Sequence, residues 1–392
     1  MDVNQDFGNI IYLDNASTTY PKPKEVLAQA IDFFQRYGVN PGRSGYDLCT
    51  LAGDLVQKTR ERLTRFFGGA DPERLIFAYN ASEALNIIIQ GVLAEGDHAV
   101  STVVEHNSVI RPLNHLRAQK QIEVDYVPTD GGGWVDPDEV ARCLRPNTRL
   151  VIVNHGSNVI GTLQPVAEIG RICRERGVCF AIDTAQTAGT IPIDIERMHV
   201  DALAFTGHKS LLGPTGIGGL YVRDGVEIRA TRFGGTGVKS AYPLQPDEYP
   251  YRLEAGTVNV FGVAGLYFAQ EYIAQRGIEN IYPHEMALFA RLQEGLSQIE
   301  GVTLHGTTSL ENRLPALSFT VEGRDPADVG TLLDAEYNVA TRAGLHCAPL
   351  IHEQVGTAPR GTVRMSVGPM NEAKDIEAGI AAVAEIAADA RQ

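Results

Sequence analysis

The sequence predicts an α/β protein in which a mostly parallel sheet lies between layers of helices, followed by a smaller α+β unit. Three observations lead there. Short apolar runs alternate with helix-spaced amphipathic segments from about residue 50 to residue 222. Near residue 256 that alternation gives way to two long helical patterns and a mixed set of strands and helices. A chain of 392 residues with 44% apolar content is also long enough for two or three cores.

In the first region LAGDLVQKTRERLTRFFG (51–68) places its apolar residues at helical spacing and its charges opposite them. Seven apolar runs read as strands: RLIFA, HAVSTVV, IEVDYV, RLVIVN, CFAID, DALAF and GLYV. SEALNIIIQGVLA (82–94) and PVAEIGRICRERG (165–177) read as helices between them. The expected product is a seven-stranded, mostly parallel sheet covered on both faces. Ligands of such sheets bind beyond the carboxyl ends of the strands.

The second region opens with helical patterns at 259–277 and 280–301. Strands follow at TLHG and ALSFTVEG, then a helix at 325–336, strands at NVATR and TVRMSVG, and a closing helix at 372–390. Residues 234–252 (GGTGVKSAYPLQPDEYPYR) read as a long loop of the kind that is often functional.

A net charge of −14 with no basic run argues against nucleic acid or an anionic membrane as partner. No apolar stretch approaches a spanning length, and the opening residues are acidic without a signal-type apolar core, so a cytoplasmic setting is expected. The five cysteines, Cys49, Cys143, Cys173, Cys179 and Cys347, are scattered and odd in number. That is neither a disulfide framework nor a zinc spacing, and no metal is expected. Four of them read as small buried hydrophobes, whereas Cys347 sits in the polar run TRAGLHCAP.

Lys209 carries the strongest chemical signal. In DALAFTGHKSLLGPTGIGG (201–219) it stands just beyond one apolar strand and before a glycine-rich turn that leads into another. A phosphate-binding GK[ST] needs glycine where His208 stands, and a dinucleotide fingerprint must open a helix rather than a strand. Asp183 ends the run CFAID and is followed by Gln186. An imine-forming lysine with a carboxylate on a neighbouring strand end is the pairing expected for pyridoxal phosphate (PLP): the carboxylate keeps the ring nitrogen protonated, so the ring can withdraw electrons.

YLDNASTT, VVEHNS, HGSNVIGT, IDTAQ, FTGHKSLLGPTGIGGLY, LEAGTVN, RAGLHCAP and TVRMSVGPMN, taken in order, resemble the class V aminotransferase-type PLP enzymes of fold type I. Within that group the chain resembles the cysteine desulfurases and selenocysteine lyases. The resemblance implies a large PLP-binding domain over 21–256, a small α+β domain over 257–392, and a segment 1–20 packed with the small domain. It implies that Lys209 carries the cofactor, that His106 stacks on its ring and moves protons, and that Asp183 pairs with its ring nitrogen. Gln186 and Asn158 would bind its phenolic oxygen. The phosphate would take Ala81 and the hydroxyl of Ser82, with Thr206, His208 and, from the partner in a homodimer, Thr257. Many relatives have Gly-Thr-Thr or Ala-Thr-Glu where this chain has Asn80-Ala81-Ser82.

The same resemblance assigns Cys347 as the nucleophile, activated by Arg342 or His346, and Arg364, Arg342, Asn158 and Ala16 as substrate-binding residues. The family's desulfurases with a short loop typically read RxGHHCxxP, and Leu345 replaces the first of those histidines here. The implied reaction takes sulfur from L-cysteine to give L-alanine and a persulfide on Cys347. A sulfur-acceptor protein, as in iron–sulfur cluster assembly, would receive it. Selenocysteine lyase, epimerase or transaminase chemistry on the same scaffold, or a sulfur-carrier scaffold without activity, are the alternatives.

Overall fold

The computed structural model describes residues 10–41, 45–119 and 121–391. The acidic opening run read above, residues 1–9, lies outside them, and with it the first part of the 1–20 segment. The chain begins with β1 (Ile11–Tyr12), α1 (Lys24–Tyr37), α2 (Asp47–Phe66), β2 (Leu75–Ala78) and α3 (Ala81–Val92). It continues through β3 (Asp97–Thr102), α4 (Asn107–Ala118), β4 (Ile122–Val127), α5 (Pro137–Cys143) and β5 (Thr148–Asn154). Next come α6 (Val166–Arg176), β6 (Cys179–Asp183), β7 (Ala202–Thr206) and β8 (Gly218–Val222).

Strands β2 to β8 form one seven-stranded sheet in the order β2-β8-β7-β6-β5-β3-β4. Only β8 runs against its neighbours, pairing antiparallel with both β2 and β7, so the sheet is mixed and mostly parallel as expected. Both faces are covered, and alternate residues of a strand therefore enter opposite cores. In β5, Val151 and Val153 join one buried cluster while Leu150 and Ile152 join the other. β7 divides likewise, Leu203 and Phe205 to one side and Ala202 and Ala204 to the other. Truncating any of the large ones to alanine would cost about 2–5 kcal/mol.

The remaining elements are α7 (Val260–Arg276), α8 (Ile278–Ser297), β9 (Val302–His305), β10 (Ala316–Val321), α9 (Pro326–Tyr337), β11 (Val339–Ala340), β12 (Arg342–Gly344), α10 (Pro349–Gln354), β13 (Thr362–Ser366) and α11 (Ala373–Asp389). α7 contributes Val263, Leu266 and Ile273 to a core of the large sheet. α8, α11 and the four-stranded sheet β12-β13-β10-β9 enclose a separate cluster that includes Leu292, Phe319 and Val383. Leu13 belongs to that cluster too, because β1 pairs in parallel with β11. No helix among the described residues is long and apolar enough to cross a membrane.

Three features depart from the sequence reading. NVATR is not one strand: Ala340 pairs with Tyr12, whereas Arg342 pairs with Arg364 in a different sheet, so the chain changes partner at Thr341. α1 was not apparent because its buried residues are only Val26 and Ala30, while Ile31 and Phe34 face out and blur the apolar stripe. Of the four cysteines expected to be buried, Cys49 and Cys173 are, and Cys143 and Cys179 are only partly so.

Candidate active site

The large sheet brings the ends of β5, β6 and β7 side by side, with Asn154 opposite Asp183 and Asp183 opposite Ala204. Lys209 follows in the turn after β7. The N-terminus of α3 closes the same space from the side, capped by Asn80, whose Oδ1 accepts the Glu83 N–H at 3.0 Å. This approach requires glycine at 218: a Cβ there would lie 2.6 Å from the Phe205 oxygen and 2.9 Å from the Asn80 Cα.

A cavity of about 290 Å³ lies among these ends. Ala16, Ala81, Ser82, His106, Asn158, Asp183, Gln186, Thr206, His208, Lys209 and Arg342 all line it, so the structure gathers most of the residues singled out from sequence. Three do not line it. Thr257 is exposed and borders a second cavity beside Tyr79 and Arg232. Arg364 is fully buried behind Ser17, which forms the wall in its place. Cys347 is half-buried and joined to the wall through Arg342.

Burial dominates the electrostatics. It lowers the Lys209 amine to about 8; Asp183 partly opposes this, and Arg364 and Arg342 add to it. Asp183 is raised by burial, against the pull of the Ala185 N–H bond to its Oδ1 at 2.8 Å and of Lys209. His106 is lowered to about 4, first by burial and then by Lys209 and nearby arginines, so its ring is neutral at pH 7. Its Nδ1 accepts the Ser108 backbone N–H at 3.1 Å, which leaves the ring proton on Nε2. Ser108 Oγ stands 2.8 Å from that nitrogen and 2.5 Å from Ser82 Oγ, a hydroxyl relay between α3 and α4. His208 is likewise lowered to about 4 by burial and by Lys209.

Several polar atoms in this wall have no partner among the described residues. Thr206 Oγ1, His208 Nδ1 and Asn158 Oδ1 are all buried and unbonded. Such groups cost free energy unless something satisfies them. Together with the N–H groups that open α3, a half-buried amine and a buried carboxylate, they suit an anionic aldehyde that carries a basic ring nitrogen. Gln186 spends its Nε2 on the Ala16 carbonyl at 2.9 Å, and Asn158 its Nδ2 on the His346 carbonyl at 2.7 Å.

The Cys347 loop is held tightly. His346 and Cys347 have φ of 49° and 59°, the left-handed region that side chains other than glycine seldom adopt. Each such residue stores on the order of 1–3 kcal/mol of strain. The Asn107 N–H bond to the Cys347 oxygen at 2.6 Å and the Asn158 bond to His346 hold the turn. Arg342 Nη2 donates to Cys347 Sγ at 3.1 Å. The imidazole of His346 turns instead to Thr362 Oγ1 at 3.0 Å, and burial pushes it down to about 2, so it is neutral. Of the two activating groups left open by sequence, Arg342 is the charged one at the sulfur.

Asp14, Ser17 and Ser108 were not singled out from sequence. They lie inside YLDNASTT and VVEHNS, runs whose value as motifs was legible while the task of each small side chain was not. Asp14 Oδ1 accepts from Arg364 Nη2 at 2.6 Å, and Ser17 Oγ lies 2.9 Å from the same nitrogen.

A mostly parallel sheet with a lysine just beyond one strand and a carboxylate ending the next is the arrangement of a PLP-type transferase scaffold. Residues 11–378 match the family model described as Aminotransferase class-V. A probable cysteine desulfurase of Methanothermobacter thermautotrophicus is 36% identical over 375 residues, spanning 94% of this chain and 92% of that protein. The apo structure of a cysteine desulfurase from Thermococcus onnurineus superposes with a TM-score of 0.90 at 32% identity, covering 97% of this chain and 95% of that one. The cysteine desulfurase CsdA from Escherichia coli gives a TM-score of 0.87 at 28% identity, covering 97% and 95%. The chain belongs to the class-V aminotransferase family of PLP-dependent enzymes, in its cysteine desulfurase group.

Proposed function

We propose that this enzyme removes sulfur from L-cysteine, releases L-alanine and carries the sulfur as a persulfide on Cys347. One observation carries the reading: the guanidinium of Arg342, which lines the Lys209 cavity, donates to Cys347 Sγ. A nucleophilic thiol is thus one side chain away from an imine-forming amine.

Lys209 would hold PLP covalently, Asp183 would meet its ring nitrogen, and His106 its ring face. The phosphate would take the Ala81 N–H, Ser82, Thr206 and His208, and Asn158 and Gln186 would flank the phenolic oxygen; the unbonded Thr206 Oγ1 and His208 Nδ1 support the phosphate part of this fit. When bound, PLP supplies an electron sink that lets a Cα proton leave and a C–S bond break.

The chain does the rest. The Lys209 amine, already lowered to about 8, takes the Cα proton. Arg342 stabilises negative charge on the Cys347 sulfur, which attacks the sulfur of the substrate. The S–S bond forms as the C–S bond breaks; its electron pair passes to Cβ, which takes up a proton to become the methyl group, and Lys209 returns the proton to Cα to complete alanine. Ala16, Asn158 and Arg342 bound the space for the substrate's carboxylate, and Arg364 would meet it from behind Ser17. His106, neutral and protonated on Nε2, is a proton carrier beside Lys209.

The same reading includes a homodimer in which Thr257 completes the partner's phosphate site. It also includes a sulfur-acceptor protein docking near the Cys347 loop, as iron–sulfur cluster assembly would need, and a cytoplasmic setting. The domain division proposed is 21–256 and 257–392, with 1–20 as the segment packing with the small domain and α7 as the linking helix. Two variants test the reading. Cys347→Ala should lose alanine release from cysteine by at least about 10²-fold, and wild-type turnover would refute it. Lys209→Ala should lose the imine absorbance near about 420 nm. Comparing L-cysteine with L-selenocysteine separates desulfurase from lyase preference.

A further inference from the structure

The arginine expected to receive the substrate's carboxylate already holds one. Arg364 Nη2 donates to Asp14 Oδ1 at 2.6 Å and to Ser17 Oγ at 2.9 Å, and Nη1 donates to the Asn158 carbonyl at 2.9 Å. A guanidinium has five N–H donors. Both on Nη2 are therefore committed, and the N–H on Nε is buried without a partner among the described residues. A bidentate carboxylate needs donors on two neighbouring nitrogens, and both such edges of the guanidinium, Nε with Nη2 and Nη1 with Nη2, draw on Nη2. The side chain is wholly buried, whereas Ser17 forms the cavity wall in front of it.

We propose that Asp14 and Ser17 are positioning residues that hold Arg364 in a self-occupied state, and that the substrate's α-carboxylate binds by displacing Ser17 from Nη2 against the standing charge of Asp14. The inference rests on the functional reading above, in which Arg364 serves the carboxylate. Asp14 and Ser17 reach Arg364 because β1 pairs with β11 and the Asp14 backbone bridges to Ser366, next to β13's arginine-bearing face. The segment that follows is anchored at its far end: Thr18 Oγ1 at 2.9 Å, Thr19 N–H at 3.1 Å and the Lys22 amine all donate to the His208 carbonyl, one residue before Lys209. A strap fixed at both ends thus lays its carboxylate on the receptor. The arrangement fits an enzyme that must admit a small amino acid yet let the product's identical carboxylate go.

The test uses the PLP-loaded enzyme and two probes, L-alanine and cysteamine; cysteamine has the amine and thiol of cysteine but no carboxylate. Asp14→Asn keeps an acceptor for Arg364 and removes the competing charge; Ser17→Ala frees an Nη2 donor and leaves the ion pair intact. Calorimetric titration should show L-alanine binding at least about fivefold tighter to each variant, with cysteamine binding unchanged. Unchanged or weaker L-alanine binding in both variants, or a parallel shift for cysteamine, would overturn the inference. Should Asp14→Asn fold poorly, Ser17→Ala alone decides it. Wild-type enzyme that binds neither probe would refute the functional reading itself, a result distinct from a failed split between the probes.

Discussion

Arg342 Nη2 lies 3.1 Å from Cys347 Sγ, while Nη1 of the same side chain reaches Ser17 Oγ at 3.4 Å. One cation therefore touches both the sulfur and the strap that covers Arg364. Its backbone pairs directly with Arg364 across β12 and β13. Two guanidiniums so close repel each other, and each needs an anionic neighbour. Asp14 supplies one for Arg364, and Arg342 directs its Nη2 at the Cys347 sulfur.

Replacing Arg342 by methionine should slow iodoacetamide alkylation of Cys347 at pH 7 by about tenfold, since the thiolate is the reacting form. Mass spectrometry of the peptide that contains Cys347 measures the rate without any turnover. Equal rates in the two proteins would show that the guanidinium does not act on the sulfur.

Lys209 governs a pH dependence visible before catalysis. An amine must be unprotonated to attack an aldehyde, and this one is lowered from 10.5 to about 8. The rate at which the PLP-free protein takes up the cofactor should rise about tenfold per pH unit up to about pH 8 and then level off. An unshifted lysine would keep rising to beyond pH 10. Stopped-flow absorbance on addition of PLP distinguishes the two curves.

His106→Gln should lower kcat about 10²-fold, within the usual range for loss of a proton carrier, while cofactor uptake persists. Because the wild-type ring is neutral above about 4, the acidic limb of the kcat profile should show no ionisation near the ordinary histidine value. A limb centred near 6.5 that vanished in the variant would contradict the neutral ring.

Glu285 offers a stability test away from the chemistry. It is buried on α8, its Oε2 lacks a partner among the described residues, and burial raises it from 4.5 to about 8. Between those values the folded protein holds a proton that the unfolded chain has released. Its contribution is therefore fully present below pH 4.5 and is lost as pH rises through about 8. Glu285→Gln cannot ionise, so it should match wild type near pH 4.5 and exceed it by a few kcal/mol, at most roughly, near pH 8. Chemical denaturation at the two pH values reads the gap; a constant difference would mean that Glu285 does not titrate on folding.

Much of the fold is legible in the chain because its signals are local. The seven strands show as apolar runs since both faces of the sheet are covered, so Leu150, Val151, Ile152 and Val153 are all buried whichever way they point. NVATR misleads for the complementary reason: its apolar pattern says strand, and nothing in five residues says that Ala340 and Arg342 serve different sheets. The cavity residues were readable where their type is chemically rare in context, as with Lys209, Asp183 and His106. Asp14 and Ser17 were not, because a short polar side chain after a strand has many ordinary uses.

Sequence alone was enough for the family, and it singled out Lys209, Asp183 and Cys347 as candidates, because covalent chemistry depends on residue type and motif order is carried along the chain. Tertiary structure decided which charge meets Cys347 and what occupies Arg364. Those are contacts between residues hundreds of positions apart, or on opposite sides of a left-handed turn, and they depend on distances of a few tenths of an ångström. Electrostatic and hydrogen-bond energies fall off over such distances, and a linear pattern of residues does not specify them.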